Sequence, residues 1–313
     1  MRPEDGRPAT HAASVSRVLP RTVVVLGLVS LLNDASSEMI TPLLPILLTA
    51  TLGAGPAIVG LVEGLAEATS SVLKLVAGRL ADRGVDAKSL VVAGYGLSNA
   101  TRPLIGLAAA WSSVLLLRFL DRVGKGFRTA PRDALIAGAT HAADRGRAFG
   151  FHRSMDHAGT VIGPLLAFAL LSMQVDLKHV FLASVVPGLL VLLLLMFGLP
   201  RGQPFVAPPR ASFSWRSLHG RLRAMILAAG WLALASVPEA FVVLWAIGAG
   251  LSVHWVPLVW AAASLAKMVI AMPAGIVSDR LGRIPVLLGG WSLRVFVLLL
   301  LAALPAPPAW QVW

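Results

Sequence analysis

The feature that constrains this chain most is repetition of one length. Runs of about 20 mostly apolar residues recur from end to end, and 20 residues of α-helix are what a bilayer core requires. We read nine such runs, roughly Val23–Leu48, Ile58–Gly78, Leu90–Ala110, Val114–Ile136, Phe149–Met173, Val180–Leu199, Ala224–Ile247, Trp255–Val277 and Val286–Leu304. A tenth begins at Ala309 and stops at Trp313. Only 13% of the 313 residues are charged, about half the share in soluble domains. The first run is longer than the core of a cleaved signal peptide, so it is expected to stay in the membrane.

The connections alternate in character. The basic ones are the N-terminus (Arg2, Arg7, Arg17, Arg21), the turn with Arg79, Arg83 and Lys88, the loop with Arg132, Arg145 and Arg147, the linker with Arg201 to Arg223, and the turn with Arg280 and Arg283. The intervening ones carry at most Lys178. By the positive-inside rule the N-terminus and the basic loops are cytoplasmic. The net charge of +12 is thus topological, and nucleic-acid binding is not expected. With no cysteine in the chain, disulfides and thiolate metal sites are excluded.

The expected organisation is a cytoplasmic tail at 1–20, a six-helix transmembrane bundle at 21–199, a Pro-, Ser- and Arg-rich cytoplasmic linker at 200–223, and a partial second bundle at 224–313. An internal repeat supports two halves: Gly78-Arg-Leu-Ala-Asp82-Arg83 after the second run, and Gly275-Ile-Val-Ser-Asp279-Arg280-Leu-Gly282-Arg283 after the eighth. A complete pair of such halves would hold about twelve spans, so the chain is expected to be C-terminally truncated.

The fourth run is the anomaly. Between Leu115 and Asp133, residues Arg118, Asp121, Arg122, Lys125, Arg128, Thr129 and Arg132 fall within about 120° of arc on a helix, and Phe119, Leu120, Val123, Phe127 and Ala130 fall opposite. Gly124-Lys125-Gly126 lies inside a span and does not open a soluble helix, so a phosphate loop is not expected. A charged stripe at bilayer depth has to face a polar interior. Other runs supply acids: Asp34 and Glu38 on the first, Glu63 and Glu67 on the second, His152 and Asp156 on the fifth. Glu239, Lys267 and Arg294 are isolated charges at depth in the second half.

These residues chain together into features that resemble the major facilitator superfamily of secondary transporters over nearly the whole length. The family's loop motif is Gly-x-x-x-Asp-Arg-x-Gly-Arg. Gly275 to Arg283 matches it fully; the first copy keeps Gly78, Asp82 and Arg83 but has Val85 and Asp86 where Gly and Arg are usual. Arg118-Phe-Leu-Asp121-Arg122-Val-Gly124 is similar to the family's fourth-span motif, with Asp-Arg in place of Gln-Gly. Gly159-Thr-Val-Ile-Gly163-Pro164 resembles the core of a motif associated with proton antiporters, without the two glycines that usually follow. The resemblance implies an all-α membrane protein: a six-helix N-terminal half, an incomplete C-terminal half, a central cavity and alternating access. It also implies a gating role for the two loop motifs, against which a simple topology-setting basic turn stands as the alternative. Gly78, Gly275, Gly159 and Gly163 are expected to let helices approach closely.

Three readings of the buried charges stay open. They line the path and carry protons or bind substrate, with Asp34, Glu67 and Asp156 the preferred proton carriers; they form structural pairs, Arg118–Asp121 and Asp121–Lys125 being i,i+3 and i,i+4 neighbours; or, for Lys74 and Arg132, they snorkel. His152 and Asp156 with Asp34 and Glu38 leave a divalent-cation exporter as an alternative, although no resident metal or cofactor is expected. Trp231, Trp245, Trp255 and Trp260 read as an aromatic belt at span ends, and Pro238, Pro257 and Pro273 as kinks. The functional expectation is proton-coupled efflux of a small solute by a monomer in the inner or plasma membrane. The alternative from another class is a non-transporting receptor or assembly protein. No enzyme is expected, because no Ser/His/Asp constellation or nucleotide loop lies outside the membrane.

Overall fold

The computed structural model describes residues 19–83, 85–141, 144–199, 215–234, 238–281 and 283–303, and all regular structure among them is helical. The first 18 residues, most of the linker (200–214) and the start of the tenth run at Ala309 lie outside the described residues. So do Gly282 and the side chains of Asp82, Asp279, Arg280 and Arg283.

In hydrocarbon, backbone polar groups must be satisfied within the segment, which makes helix the default for every apolar run. Helix α1 runs from Arg21 to Ile40 and continues to Thr51 through a 3-10 turn (Thr41–Leu43), an α turn (Leu44–Ile46) and a π turn (Leu47–Thr51). Pro42 and Pro45 cause the irregularity: neither can donate a backbone hydrogen bond, so the ladder re-pairs around them. The other helices of the first half are α2 (Pro56–Asp82), α3 (Ala87–Ile105), α4 (Trp111–Gly138), α5 (Arg145–Ser172) and α6 (Leu177–Gly198). Helix α6 is interrupted at Ser184, where Pro187 leaves the Ala183 carbonyl without its donor. Ser184 Oγ donates to the Phe181 carbonyl at 2.6 Å, and Ser36 Oγ of α1 donates to the Ser184 carbonyl at 3.0 Å.

The second half contributes α7 (Gly220–Leu234), α8 (Glu239–Gly248), α9 (Val256–Leu281) and α10 (Arg283–Ala303). The run expected at Ala224–Ile247 is therefore two helices. Pro238, at φ −59° and ψ 138°, is extended rather than helical, and α8 starts directly after it. Pro257 lies in the first turn of α9 and does not kink it; Pro273 is inside the helix.

Length and hydropathy alone mark five segments as able to cross a membrane: Arg21–Thr51, Pro56–Ala81, Arg145–Ser172, Leu177–Gly198 and Val253–Ile270. Helices α3 and α4 fall outside this set, α4 through its charged stripe and α3 through its polar residues together with Lys88 and Arg102, yet they pack extensively on each other, α4 also on α2 and α3 on α6. Helix α1 packs on α5 and α6, and α9 of the second half lies along α5. Apolar side chains face outward, Phe197 at 73% exposure and Val186 at 60%, as lipid contact requires.

The interior is layered. One apolar cluster holds Val23, Leu26, Val29, Val91, Ile136, Val191 and Leu195 near the basic end. Another, at the far end, holds Met39, Leu43, Leu48, Val59, Ile105, Val114 and Phe181, joined by Ala240, Val243 and Val256 of the second half. Between them lies a polar layer containing Asn33, Asn99, Arg102, Arg118 and Asp121, all buried.

Glycines set the spacing across this layer. A Cβ on Gly94 would come within 2.6 Å of the Gly124 carbonyl oxygen, so α3 and α4 touch backbone to backbone. On α5, a Cβ on Gly159 would meet Asp34 Cβ at 2.8 Å and one on Gly163 the Ala35 carbonyl oxygen at 2.5 Å, so α5 lies close against α1 there. Gly78 differs from expectation: a Cβ there would meet only Ala130 Cβ at 3.9 Å, an ordinary contact.

Candidate functional site

The site is built from the charged stripe of α4. Arg118, Asp121, Arg122 and Arg128 are buried, Lys125 is half-buried, Phe119 is exposed and Phe127 is half-buried. The stripe therefore faces the bundle interior.

Asp121 is the hub, with 0% exposure. Its Oδ1 accepts from Arg102 Nε at 3.0 Å, and its Oδ2 lies 3.6 Å from Arg118 Nη1 and 3.9 Å from Arg122 Nε. Arg118 Nη2 also reaches Glu63 Oε1 of α2 at 3.2 Å. Arg102 Nη1 donates to the Asn33 carbonyl and Asn33 Oδ1, both at 3.0 Å, and to Asn99 Oδ1 at 3.2 Å. Arg128 donates to Ser98 Oγ at 2.8 Å and stacks 4.4 Å over the Tyr95 ring, while Ser98 Oγ donates to the Asp121 carbonyl at 2.8 Å. An ionised group in so dry a layer costs several kcal/mol unless paired, and the pairing ties α1, α2, α3 and α4 together.

One expectation is corrected here, and one residue is added. Asp121 pairs with Arg102, Arg118 and Arg122 rather than with Lys125, which has no ion pair among the described residues. Arg102 was missed, although one charge deep in the third run is the same signal that marked Asp34 and Glu67.

On the fifth helix, Asp156 is engaged on every side: it accepts from Ser30 Oγ of α1 and lies 3.6 Å from His152 Nδ1 and 3.5 Å from Arg153 Nη1. It is a clamp between α5 and α1 and does not reach the cavity described below. Asp34 is half-buried and accepts from Asn33 Nδ2 at 2.9 Å. Among the described residues no three His, Cys, Asp or Glu side chains converge on a metal-sized point, so His152, Asp156, Asp34 and Glu38 do not form the divalent-cation site considered from sequence.

A cavity of ≈ 860 Å³ opens between the halves. From the first half it is lined by Glu38, Glu63, Glu67, Arg118, Arg122 and His157, and from the second by Glu239, Trp260 and Lys267, with Gly64, Ala68 and Ala240 leaving room between them. Trp260 is not a belt residue: its Nε1 donates to Glu38 Oε2 across the halves at 2.9 Å. Lys267 Nζ binds Glu239 Oε1 at 2.5 Å. Of the expected proton carriers, Glu67 lines the cavity, whereas Asp34 and Asp156 stand behind its wall. Arg294 is outside it, its guanidinium 5.3 Å over the Trp291 ring.

In the first loop motif, Asp86 explains its own departure from the family pattern. Its carboxylate accepts from Ser89 N at 2.8 Å and Ser89 Oγ at 2.7 Å, capping α3. The Ser89 hydroxyl holds the carboxyl below the usual aspartate range. Arg83 is exposed.

A multi-pass helical membrane protein with a charged, solute-sized cavity between two unequal halves is thus defined. The chain belongs to the Major Facilitator Superfamily, whose family model matches residues 26–313. It is 32% identical over 88% of its length to an MFS-type transporter of Methanocaldococcus jannaschii, of which it covers 70%. It is 29% identical to multidrug resistance protein MdtH of Aeromonas hydrophila over 48% of this chain and 38% of that protein. Its fold is similar to that of a bacterial homologue of the human lysosomal transporter Spinster in an inward-facing, occupied conformation, with TM-score 0.65 and 19% identity. The chain spans 60% of that solved protein.

Proposed function

We propose that the protein works as a secondary active transporter, exporting a small solute in exchange for protons by alternating access. The observation that carries this reading is the placement of Glu38, Glu63 and Glu67 on the wall of an ≈ 860 Å³ cavity between the halves, beside buried Arg118 and Arg122. Carboxylates in such a place can exchange a proton as hydration alternates between the two sides. Glu67, with no ion-pair partner among the described residues, is assigned as the main proton carrier and Glu38 as the second, with Asp34 adjusting the field behind them. Residues 21–199 and 224–313 act as the moving bodies, residues 200–223 link them, and the loops around Asp82–Arg83 and Asp279–Arg283 latch the basic, cytoplasmic side. The outward direction draws support from the similarity to multidrug resistance protein MdtH.

The test is flux in proteoliposomes. Radiolabelled organic solutes, including the probes named below, are followed with and without an imposed pH gradient. Gradient-dependent flux that falls at least tenfold in Glu67→Gln is expected. Flux indifferent to the gradient refutes proton coupling, and absence of flux across the panel refutes transport.

A further inference from the structure

The proposal that follows rests on the transport reading and concerns what the cavity takes. The wall carries seven formally charged side chains: Glu38, Glu63, Glu67, Glu239, Arg118, Arg122 and Lys267. Four of them are already spent on each other, as Arg118–Glu63 at 3.2 Å and Lys267–Glu239 at 2.5 Å. Three remain. Arg122 is buried, and its Nε has no hydrogen-bond partner among the described residues; Asp121 is 3.9 Å away and is already held by Arg102 at 3.0 Å. Among the described residues Glu38 accepts one hydrogen bond, from the indole N–H of Trp260. Glu67 has no hydrogen bond among the described residues.

A buried guanidinium short of an acceptor costs free energy that a bound anion would recover. The unpaired carboxylates beside it, half-buried Glu38 and exposed Glu67, attract a cation. A ligand with one charge meets one of these demands and leaves the other. A zwitterion meets both. Because two acids face one spare cation, one carboxylate stays free to hold a proton while the other meets the ligand.

The second half adds an apolar alcove of ≈ 200 Å³ between α8 and α9, lined by Val243, Trp245, Leu251, Val256 and Val259. It shares Trp260, Ser264, Glu239 and Lys267 with the large cavity. A group entering the alcove therefore stays next to the charged wall, with the Trp260 ring between them, and the site's polar and apolar parts are adjacent as in ordinary small-molecule sites.

We propose that the cavity binds a small organic zwitterion bearing an apolar or aromatic group, with its anionic end on Arg122, its cationic end on Glu38 or Glu67, and its apolar end in the alcove beside Trp260.

The test is equilibrium binding to the purified 313-residue chain in nanodiscs, by calorimetry or scintillation proximity. The probes are phenylalanine and glycylphenylalanine, each beside its N-acetyl form, which removes the cation, and its C-terminal amide, which removes the anion. At least one zwitterion is expected to bind tenfold or more tighter than both of its single-charge forms. In Arg122→Gln the advantage over the amide should vanish while that over the N-acetyl form persists; Arg122→Lys should restore part of it. Trp260→Leu should weaken all aromatic probes together. An amide that binds as tightly as its zwitterion marks a cation site and overturns the proposal; an N-acetyl form that does so marks an anion site and overturns it equally. So does the absence of binding by every probe. The wild-type comparison needs no variant to fold. Binding discrimination without gradient-driven flux would reject the transport reading and leave the ligand class standing; gradient-driven flux of a single-charge probe would do the reverse.

Discussion

Removing the charge of Asp121 is the sharpest perturbation of the polar layer. In the native protein Arg102, Arg118 and Arg122 share two carboxylates, Asp121 and Glu63, a formal surplus of one positive charge. Asp121→Asn raises that surplus to two in a region where Arg102 and Arg118 are each 1% exposed. Breaking a buried pair by removing one partner costs about 3–5 kcal/mol. At roughly 2–4 °C per kcal/mol for a domain of some 200 residues, the melting temperature should fall by roughly 6–20 °C. Arg102→Gln removes the closest partner and should by itself cost a similar amount, since it leaves Asp121 with only the looser contacts at 3.6 and 3.9 Å.

The double variant decides whether the pair or general packing is responsible. Asp121→Asn with Arg102→Gln restores the original charge balance and keeps amide groups that can hydrogen-bond to each other and to Asn33. It should therefore be less destabilised than the sum of the two single variants, by at least about 1 kcal/mol of coupling. The assay is thermal unfolding of the detergent-solubilised protein followed by intrinsic tryptophan fluorescence. Melting of Asp121→Asn within 2 °C of wild type, or strict additivity in the double variant, would refute the hub assignment.

Helix spacing predicts a contrast between glycines. Gly159→Ala should cost about 1–3 kcal/mol, because the new Cβ would sit 2.8 Å from Asp34 Cβ; Gly78→Ala, with its nearest contact at 3.9 Å, should be neutral or stabilising by up to about 1 kcal/mol. Equal melting shifts for the two would contradict the packing. Asp86→Ala should cost about 1 kcal/mol through loss of the α3 cap, read from amide exchange over the first turn of α3. Since the folded carboxyl titrates below its unfolded value of about 3.9, the cap's contribution is complete above that pH and is lost as pH falls through the lower folded value; protection that instead weakens on raising the pH would show the cap misassigned. Trp260→Phe removes the only hydrogen bond that Glu38 receives among the described residues and should shift the pH midpoint of gradient-driven flux, whereas an unchanged midpoint would separate Glu38 from the proton path.

Much of the first half was legible because two simple periodicities dominate it. The 20-residue apolar runs locate the helices, and the 120° stripe on the fourth run predicts which face turns inward. What escaped was pairing across helices. The i,i+4 rule nominated Lys125 as a partner for Asp121, but the backbone-to-backbone approach at Gly94 and Gly124 brings Arg102 of α3 closer than any neighbour on α4 itself. Two glycines opposite each other leave no trace of their partnership in a single sequence. Trp260 was misplaced for a related reason. Its position near a span end fits a belt, and only the cross-half contact with Glu38 reveals the other use. The break before α8 escaped because hydropathy stays high through Pro238, whose effect is on the backbone ladder and not on polarity.

The distribution of polar contacts bears on which parts can move. Within the first half the charges are closed into a network with Asp121 at its centre, and backbone contacts at Gly94, Gly159 and Gly163 hold α3 to α4 and α5 to α1. Rearranging that layer would expose several ions at once in a dry interior, so α1 to α5 should behave as one body. Across the cavity the halves meet through the bond from Trp260 to Glu38, the packing of α9 along α5, and the apolar contacts of Ala240, Val243 and Val256 with the far-end cluster. A single indole–carboxylate hydrogen bond contributes about 1.5–3 kcal/mol, which protonation of Glu38 or arrival of a ligand cation can offset. Glu38 and Glu67, assigned to protons, therefore sit at the seam between the halves, Arg102 and Asp121 sit outside the cavity lining, and Arg118, Arg122 and Glu63 belong to both the wall and the network. Glu38 lies on both the seam and the cavity wall, so under the proposed mechanism a ligand cation that takes it loosens the bond from Trp260 and leaves Glu67 to hold the proton.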